Sequence, residues 1–285
     1  MALSEQLKQF PVARATAGGA TVAFREALPA GYSGPVTHVL LHGIGSASAS
    51  WLGQLLQAAS PDAVPCRLLA WDAPGYDGSD AVSALQPDAG AYARRLWDWL
   101  DALGLAAGQP LTLVGHSLGA LMAARAAVLR PQRVARLVLL APAPGYARAE
   151  AAVRNKKLSE RLASLAELGP AGLASKRAGA MLSAQASTEQ RLFVEQVMAG
   201  IRPDGYTQAA HMLAGGDLQH DLAQLPCARV IASGNADGIT PVKGCAALAQ
   251  ALGIPYLSLG AVGHMCTLEA AAAVNHLLGI SGEPA

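Results

Sequence analysis

The chain has 285 residues, a formal net charge of +1, 52% hydrophobic residues and 14% charged residues. This length is large for one simple core and short for two full domains, so we expect one α/β domain with an insertion. The nearly balanced charge, without a block of Lys or Arg, argues against nucleic acid as a partner.

The predicted elements begin after residues 1–8, which lack the basic start and apolar core of a signal peptide. A hairpin is predicted from 12–17 and 21–26, joined across Gly18-Gly19. Apolar runs then predict buried strands at 37–41, 67–71, 111–114, 137–140, 229–232 and 255–259. Amphipathic stretches such as Tyr92–Leu100 separate these strands. The alternation predicts an α/β fold with a mostly parallel eight-stranded sheet and helices on both faces.

Two features of the sequence bear on membrane association and on the cellular compartment of the protein. Residues 102–124 carry no formal charge and are long enough to resemble a membrane span. Because Pro110 and glycines divide this stretch, we predict a buried strand followed by a core helix, and no membrane association. The four cysteines are scattered, which predicts reduced thiols and a cytoplasmic protein.

The alternation of strands and helices stops between Tyr146 and Gly215. This segment is rich in Ala, Leu and Met, has charges at helical intervals and contains no strand-like run. We interpret residues 146–215 as a helical cap or lid inserted into a core formed by residues 1–145 and 216–285. A plain continuation of core helices is the simpler alternative.

The most informative motif is Gly115-His116-Ser117-Leu118-Gly119, between the predicted strand 111–114 and a helix-like run at 120–129. In this setting G-x-S-x-G presents a serine hydroxyl on a tight turn, and glycines flank it because strand and helix approach closely. The N–H groups at the start of the helix point towards the same place. Ser117 is therefore the candidate nucleophile for a reaction that creates an oxyanion.

A nucleophilic serine needs a base, and histidine suits this role near neutral pH. His264 follows the last predicted strand and precedes the final helix, which puts it at the same carboxyl edge of the sheet as Ser117. Asp237 follows the strand at 229–232 and is the candidate carboxylate that orients the base. A helix-capping aspartate is the structural alternative for Asp237.

The oxyanion needs hydrogen-bond donors that are already in position. The candidates are the backbone N–H groups of Leu118, directly after the nucleophile, and of Ile44, in the glycine-containing loop after the third predicted strand. His42 is expected to hydrogen-bond within that loop and is not assigned to chemistry. The candidate residues for contacting substrate are His42, Gly43, Trp51, His116 and Met265.

Five motifs in this order resemble the α/β-hydrolase superfamily, over residues 21–278. They are Leu41-His42-Gly43-Ile44-Gly45 with Ser50-Trp51, Trp71-Asp72-Ala73-Pro74-Gly75-Tyr76-Asp77-Gly78-Ser79, the Ser117 elbow, the Asp237 segment and Gly263-His264-Met265. The order Ser117, Asp237, His264 also matches the triad order of that fold. The second motif departs from the pattern D-x-P-G-x-G-x-S, because Asp77 and Gly78 shift a glycine by one residue. We expect this departure to affect a structural loop only.

Within the superfamily the chain resembles single-domain members with a helical cap, among them carboxylesterases, enol-lactonases, aminopeptidase-like enzymes and C–C bond hydrolases. A serine nucleophile separates it from haloalkane dehalogenases, which use aspartate there. The resemblance implies a hydrolase that cleaves a small-molecule ester or lactone through an acyl-enzyme, with Ser117 as nucleophile, His264 as general base and Asp237 as orienting acid. We expect neither a metal nor a cofactor, and the oligomeric state is open.

Two other functions are left open by the sequence. A C–C bond hydrolase of ring-fission products would use the same triad and need cationic groups that hold substrate carboxylates. The segment 146–215 offers Arg148, Arg154, Lys156, Lys157, Arg161, Lys176, Arg177, Arg191 and Arg202. A solvated helix face is the simpler explanation of these charges. A small-molecule receptor with slow residual hydrolysis is the alternative from another functional class.

Overall fold

The computed structural model describes residues 1–105 and 108–282, which contain one eight-stranded sheet. The strands are β1 (Ala13–Ala17), β2 (Ala20–Ala27), β3 (His38–Leu41), β4 (Leu68–Trp71), β5 (Leu111–His116), β6 (Val134–Leu140), β7 (Ala228–Ser233) and β8 (Tyr256–Ser258). Their order in the sheet is β1-β2-β4-β3-β5-β6-β7-β8. The pairs β1–β2 and β2–β4 are antiparallel, and the other neighbouring pairs are parallel. The predicted mostly parallel α/β sheet is confirmed.

Helices cover both faces of this sheet. They are α1 (Leu3–Leu7), α2 (Leu52–Ala58), α3 (Ala89–Ala102), α4 (Gly119–Leu129), α5 (Ala151–Arg177), α6 (Thr188–Ala199), α7 (Pro203–Gly215), α8 (Leu218–Leu222), α9 (Val242–Ala251), α10 (Cys266–Glu269) and α11 (Ala271–Leu278). Helices α3, α4, α8 and α9 pack in one apolar core, and α2 and α11 pack in the other. The sheet is thus buried on both sides, as parallel sheets require.

The central strands supply both cores through the alternation of their side chains. Leu113 of β5 and Leu139 of β6 enter the core with α3 and α4, whereas Val114 and Val138 enter the opposite core. Successive residues of a strand point to opposite faces, so a strand covered on both sides needs apolar residues at every position. This explains why the strands are visible in the sequence as continuous apolar runs.

The uncharged stretch at 102–124 divides as predicted into β5 and the start of α4, apart from residues 106 and 107, which lie outside the described part of the chain. Among the residues described, none of the helices combines the length and the apolar character needed to cross a membrane. The uncharged stretch is therefore explained by the strand and the helix that it forms.

The interval between β6 and β7 contains α5, a 3-10 turn at Ala178–Met181, α6, α7 and the short α8, which lies beyond residue 215. Helix α5 is broken, because Gly169 has a φ of 63° and a ψ of 178°, and Pro170 follows it. Helix α6 begins with a capping box formed by Ser187 and Gln190. The interval is helical as expected, while its role as a separate cap stays a prediction.

The loop that departs from the family pattern keeps a regular structure. Asp77 has a φ of 43°, a left-handed conformation that aspartate tolerates better than most residues. The Ser79 hydroxyl donates to the carbonyl of Asp72 at 2.6 Å and accepts from the N–H of Ala23 at 2.8 Å. These bonds tie the loop to β2, in keeping with a structural role.

The strand order reverses at β3, which lies between β4 and β5. Connections that leave neighbouring strands in opposite directions open a crevice at their carboxyl ends. The loop 42–46 follows β3, and Ser117 follows β5, so both lie at this crevice. The topology thus brings the predicted nucleophile and the predicted oxyanion loop together.

Candidate active site

Ser117 occupies the tight turn between β5 and α4, with a φ of 53° in the left-handed region. A side chain at Gly119 would collide with the carbonyl oxygen of Leu41, and one at Gly115 would lie 2.5 Å from the carbonyl oxygen of Gly119. The two glycines therefore let α4 begin directly against the sheet. This close packing leaves Ser117 at the apex of the turn, as the motif predicts.

The turn is held in place by the end of the neighbouring strand β6. The N–H of Ser117 donates to the carbonyl of Leu140 at 2.9 Å, and the N–H of Ala143 donates to the carbonyl of Ser117 at 3.1 Å. Both backbone polar groups of Ser117 are thus satisfied. Its side chain is left to point into the crevice, where the residue remains 6% exposed.

His264 and Asp237 form a buried pair at the same edge of the sheet. Nδ1 of His264 lies 2.8 Å from Oδ2 of Asp237. Burial by itself would raise the pKa of Asp237, but the hydrogen bond and charge of His264, together with bonds from Thr240, outweigh burial and lower the pKa. Since an ionised carboxylate only accepts hydrogen bonds, Nδ1 of His264 is the donor and Nε2 is the atom that can accept a proton.

Thr240 completes the surroundings of this pair, although sequence analysis did not single it out. Its hydroxyl lies 2.8 Å from Oδ2 of Asp237, 3.2 Å from Nδ1 of His264 and 3.0 Å from the carbonyl oxygen of Ala141. The N–H groups of Ile239 and Thr240 donate to Oδ1 of Asp237 at 2.7 and 2.9 Å. An aspartate whose carboxylate accepts from the N–H two residues later forms an Asx-turn, and the sequence signal for it is the aspartate itself.

The predicted oxyanion donors lie on either side of Ser117. Within the described part of the chain, the N–H groups of Ile44 and Leu118 donate to no other residue, so they are available to a ligand. Gly43 approaches the nucleophile so closely that a Cβ there would lie 3.0 Å from Cβ of Ser117 and 3.5 Å from its Oγ. The hydroxyl of Tyr76 donates to the carbonyl of Ile44 at 2.8 Å and holds the loop.

His42 is used inside the loop, as its position suggested. Its Nδ1 lies 2.8 Å from the carbonyl oxygen of Gly43, and its Nε2 accepts from the N–H of Ala73 at 3.0 Å. These two bonds require the neutral ring, and burial lowers the pKa of His42 to about 4. His42 therefore positions the loop, and its side chain does not line the cavity at Ser117.

A cavity of about 280 Å³ borders Ser117, His264, Ile44 and Leu118. Gly43 and His116 also line it, and their contact with substrate stays a prediction. The hydrogen bonds of the described residues include none between Ser117 and the His264 ring, a contact that often forms fully only when substrate binds.

Besides His42, whose predicted contact with substrate does not fit its position inside the loop, two further residues predicted to contact substrate lie elsewhere. Trp51 is fully buried in the core with α2, where its ring packs edge-on to His116 with centroids 6.4 Å apart. Met265 is buried in a small apolar cluster with Met181 and Met198. Neither lines the cavity, because each side chain packs into an apolar cluster instead. We therefore assign both to packing.

Two arginines of the segment 146–215 line the cavity, namely Arg161 and Arg177 on α5. The other seven cations of that segment do not line it. The sequence offers no basis for choosing these two among the nine cations. The remaining wall is mostly apolar, formed by residues such as Leu173, Leu213 and Ile239.

A mostly parallel sheet with a serine on a strand–turn–helix elbow defines the alpha/beta hydrolase class. A family model described as alpha/beta hydrolase family matches residues 39–277, and the chain belongs to this family. Solved structures support the fold. An esterase from Thermogutta terrifontis superposes with a TM-score of 0.79 over 94% of this chain and 96% of its own, at 19% identity. The enol-lactonase from Burkholderia xenovorans LB400 gives 0.78 over 94% and 98%, also at 19% identity.

Curated relatives match parts of the chain. The 2-hydroxy-6-oxononadienedioate/2-hydroxy-6-oxononatrienedioate hydrolase 1 of Dechloromonas aromatica is 31% identical over 113 residues, which are 40% of this chain and 38% of that protein. The pimeloyl-[acyl-carrier protein] methyl ester esterase of Photobacterium profundum is 29% identical over 212 residues, 72% of this chain and 78% of that protein. The chain thus matches well under half the length of the first of these relatives.

Proposed function

We propose that the protein is a serine hydrolase that cleaves a small-molecule carboxylic ester or lactone through an acyl-enzyme. The observation that carries this proposal is the 2.8 Å contact between His264 Nδ1 and Asp237 Oδ2 beside a cavity that also contains Ser117 on a left-handed turn. Nucleophile, base and orienting acid are the three groups that such a reaction needs. Membership of the alpha/beta hydrolase family supports the same conclusion.

In the first half of the reaction, Oγ of Ser117 attacks the carbonyl carbon while Nε2 of His264 takes the hydroxyl proton. The N–H groups of Ile44 and Leu118 hold the negative oxygen of the tetrahedral intermediate. As the intermediate collapses, the bond to the leaving oxygen breaks, and His264 gives its proton to that oxygen. An alcohol leaves, or a ring opens in the case of a lactone, and Ser117 carries the acyl group.

In the second half, water attacks the acyl-enzyme carbonyl and His264 takes its proton. The bond to Ser117 Oγ breaks, His264 returns the proton to the serine, and the carboxylic acid is released. Asp237 stays ionised throughout and holds the imidazole in one tautomer, while it stabilises the imidazolium that forms twice in each cycle.

We also propose that residues 146–215 act as a cap over this site. Helices α5, α6 and α7 contribute Leu173, Met198 and Tyr206 to the cavity wall opposite the sheet. A cover of this kind excludes water and strengthens the electrostatic interactions of the oxyanion. The cytoplasmic location expected from the scattered cysteines stays a prediction.

A second candidate is hydrolysis of a C–C bond in a ring-fission product, with the same three residues. The name of the Dechloromonas aromatica relative, a dienedioate hydrolase, favours it. The two arginines in the cavity also favour it, because they suit an acidic substrate.

The test is hydrolysis of 4-nitrophenyl esters of increasing acyl length, with the unsubstituted protein beside Ser117→Ala and Asp237→Asn. We expect Ser117→Ala to lose at least about 10³-fold in kcat and Asp237→Asn to lose about 10³- to 10⁴-fold. Ser159→Ala, on the exposed side of α5, is the matched control and should keep full activity.

Ester turnover that survives in Ser117→Ala would contradict the serine mechanism. Without turnover of any ester, dienoic diketo-acids are the next substrates to test. A ligand retained stoichiometrically without turnover of either class would favour the receptor alternative.

A further inference from the structure

Arg161 and Arg177 have no acidic partner in the described part of the chain. Neither forms an ion pair with a carboxylate, although several other arginines of the protein do so. Among the described residues, the side chain of Arg177 forms a single hydrogen bond, from its Nη1 to the hydroxyl of Tyr206 at 3.4 Å. Both arginines are half-buried. Two positive charges therefore lie at the cavity wall without compensation from the protein.

The walls of the cavity offer these charges little electrostatic compensation. The described lining residues include neither Asp nor Glu, and many are apolar, such as Leu173, Met181 and Leu248. A guanidinium that loses hydrating water beside apolar groups loses favourable solvation energy. An anion that accepts two parallel N–H hydrogen bonds from the guanidinium can replace that energy. A carboxylate fits this geometry.

The break in α5 is what brings the two arginines to one cavity. In an unbroken helix, residues 16 positions apart would lie about 24 Å apart along the axis and roughly 160° apart around it. Such residues face opposite directions. The non-helical backbone at Gly169, with its φ of 63°, interrupts this regular rotation between the two arginines, and both of them line the cavity. The break in α5 thus allows both arginines to line the same cavity.

We propose that Arg161 and Arg177 form a carboxylate-binding subsite, so that the substrate carries a carboxylate besides the bond that is cleaved. This inference rests on the proposed function, because it places the subsite in the cavity of Ser117. The carboxylate belongs to the acyl part, as in a half-ester of a dicarboxylic acid, or to the leaving group. Both cases share the same recognition chemistry, and the experiment separates them.

The kinetic test compares matched pairs of charged and neutral esters. For the acyl side, the pair is mono-4-nitrophenyl adipate and 4-nitrophenyl hexanoate. For the leaving group, it is 3-carboxyphenyl acetate and phenyl acetate. We expect the ratio of kcat/KM for the charged ester over the neutral one to fall about tenfold in Arg161→Gln and in Arg177→Gln, for the pair whose carboxylate reaches the subsite. The ratio for the other pair then shows which side of the substrate is recognised.

The matched control is Lys176→Gln, next to Arg177 on α5 but exposed and outside the cavity. It removes the same charge and should leave both ratios unchanged. Arg177→Lys keeps the charge without the planar fork and should retain part of the preference. If neither ratio changes in the arginine variants, or if Lys176→Gln changes them equally, the subsite does not exist.

A binding measurement makes the inference testable apart from ester hydrolysis. Adipate and its neutral analogue adipamide are titrated by calorimetry into Ser117→Ala, and then into Ser117→Ala combined with Arg177→Gln. We expect adipate to bind more tightly than adipamide, and its Kd to rise about tenfold in the double variant. Equal binding of the two compounds would overturn the subsite even if the esters are hydrolysed. Arginine-dependent adipate binding without ester turnover would instead uphold the subsite and contradict the esterase proposal.

Discussion

Nε2 of His116 lies 2.8 Å from the backbone carbonyl oxygen of His264. Because a carbonyl only accepts hydrogen bonds, Nε2 of His116 must carry a proton. Burial, reinforced by the nearby His264, lowers the pKa of His116 to about 3. The residue before the nucleophile thus holds the loop of the proposed base through a bond that does not change with pH in the neutral range.

His116→Phe tests this connection, because phenylalanine keeps an aromatic ring and removes the donor. We expect kcat to fall by about tenfold with a smaller change in KM, since the freed carbonyl lets His264 move relative to Ser117. His116→Gln supplies an amide donor and should recover part of the loss. Steady-state kinetics on a 4-nitrophenyl ester check both variants, and an unchanged kcat in His116→Phe would show that the bond does not position His264.

Thr240→Val removes the hydroxyl beside Asp237 and His264 while it preserves the branched shape. The carboxylate of Asp237 then loses one of its donors, so we expect kcat/KM to fall by roughly tenfold. Thr240→Ser keeps the hydroxyl and is the matched control, with activity close to that of the unsubstituted protein. Equal losses in the two variants would assign Thr240 to packing.

Acid should destabilise the protein through its buried histidines. Burial lowers the pKa of His38 to about 4, from an ordinary value of 6.5, although a bond to the carbonyl of Leu278 opposes the change. Between these two pH values the unfolded chain binds a proton that folded His38 does not, so stability falls as pH falls. His42 acts in the same direction. Burial raises the pKa of Asp72 to about 7, so folded Asp72 binds a proton that the unfolded chain does not, and this opposes the effect of one histidine.

His38→Gln should remove the contribution of one titrating group to this dependence of stability on pH. We expect its unfolding free energy to fall less steeply between pH 6.5 and about 4.5, by about 1.4 kcal/mol per pH unit, than that of the unsubstituted protein. Urea denaturation at several pH values measures both slopes. Above pH 7.5 the two curves should run parallel, which is the internal control, and identical slopes at acid pH would refute the assignment.

Gly119→Ala should destabilise the elbow, because a Cβ there meets the carbonyl of Leu41 on β3. The backbone of α4 and that of β3 cannot easily move apart, so we expect a loss of about 1–3 kcal/mol or more in unfolding free energy. Urea denaturation measures this loss. Gly215→Ala, at the end of α7, meets no atom within 4 Å and is the control. It should be neutral or slightly stabilising, by up to about 1 kcal/mol. A harmless Gly119→Ala would contradict the close approach of α4 and β3.

The sequence by itself determined the sheet and the elbow. The strands β3 to β7 appear as apolar runs because a strand covered on both faces needs apolar residues throughout, and this pattern is local. The turn at Ser117 is local too, since flanking glycines are what a strand needs to pass directly into a helix. The position of His264 after the last strand followed from the rule that parallel strands end at one edge.

Only the tertiary structure decided which side chains reach the cavity. Trp51 and Met265 neighbour functional motifs, yet both point into apolar clusters. Of the nine cations in segment 146–215, Arg161 and Arg177 line the cavity, and the break of α5 at Gly169 lies between them. The sequence of a helix predicts which residues share a face only while the helix axis is unbroken. Beyond a break, the direction of the second part depends on its packing against the rest of the chain.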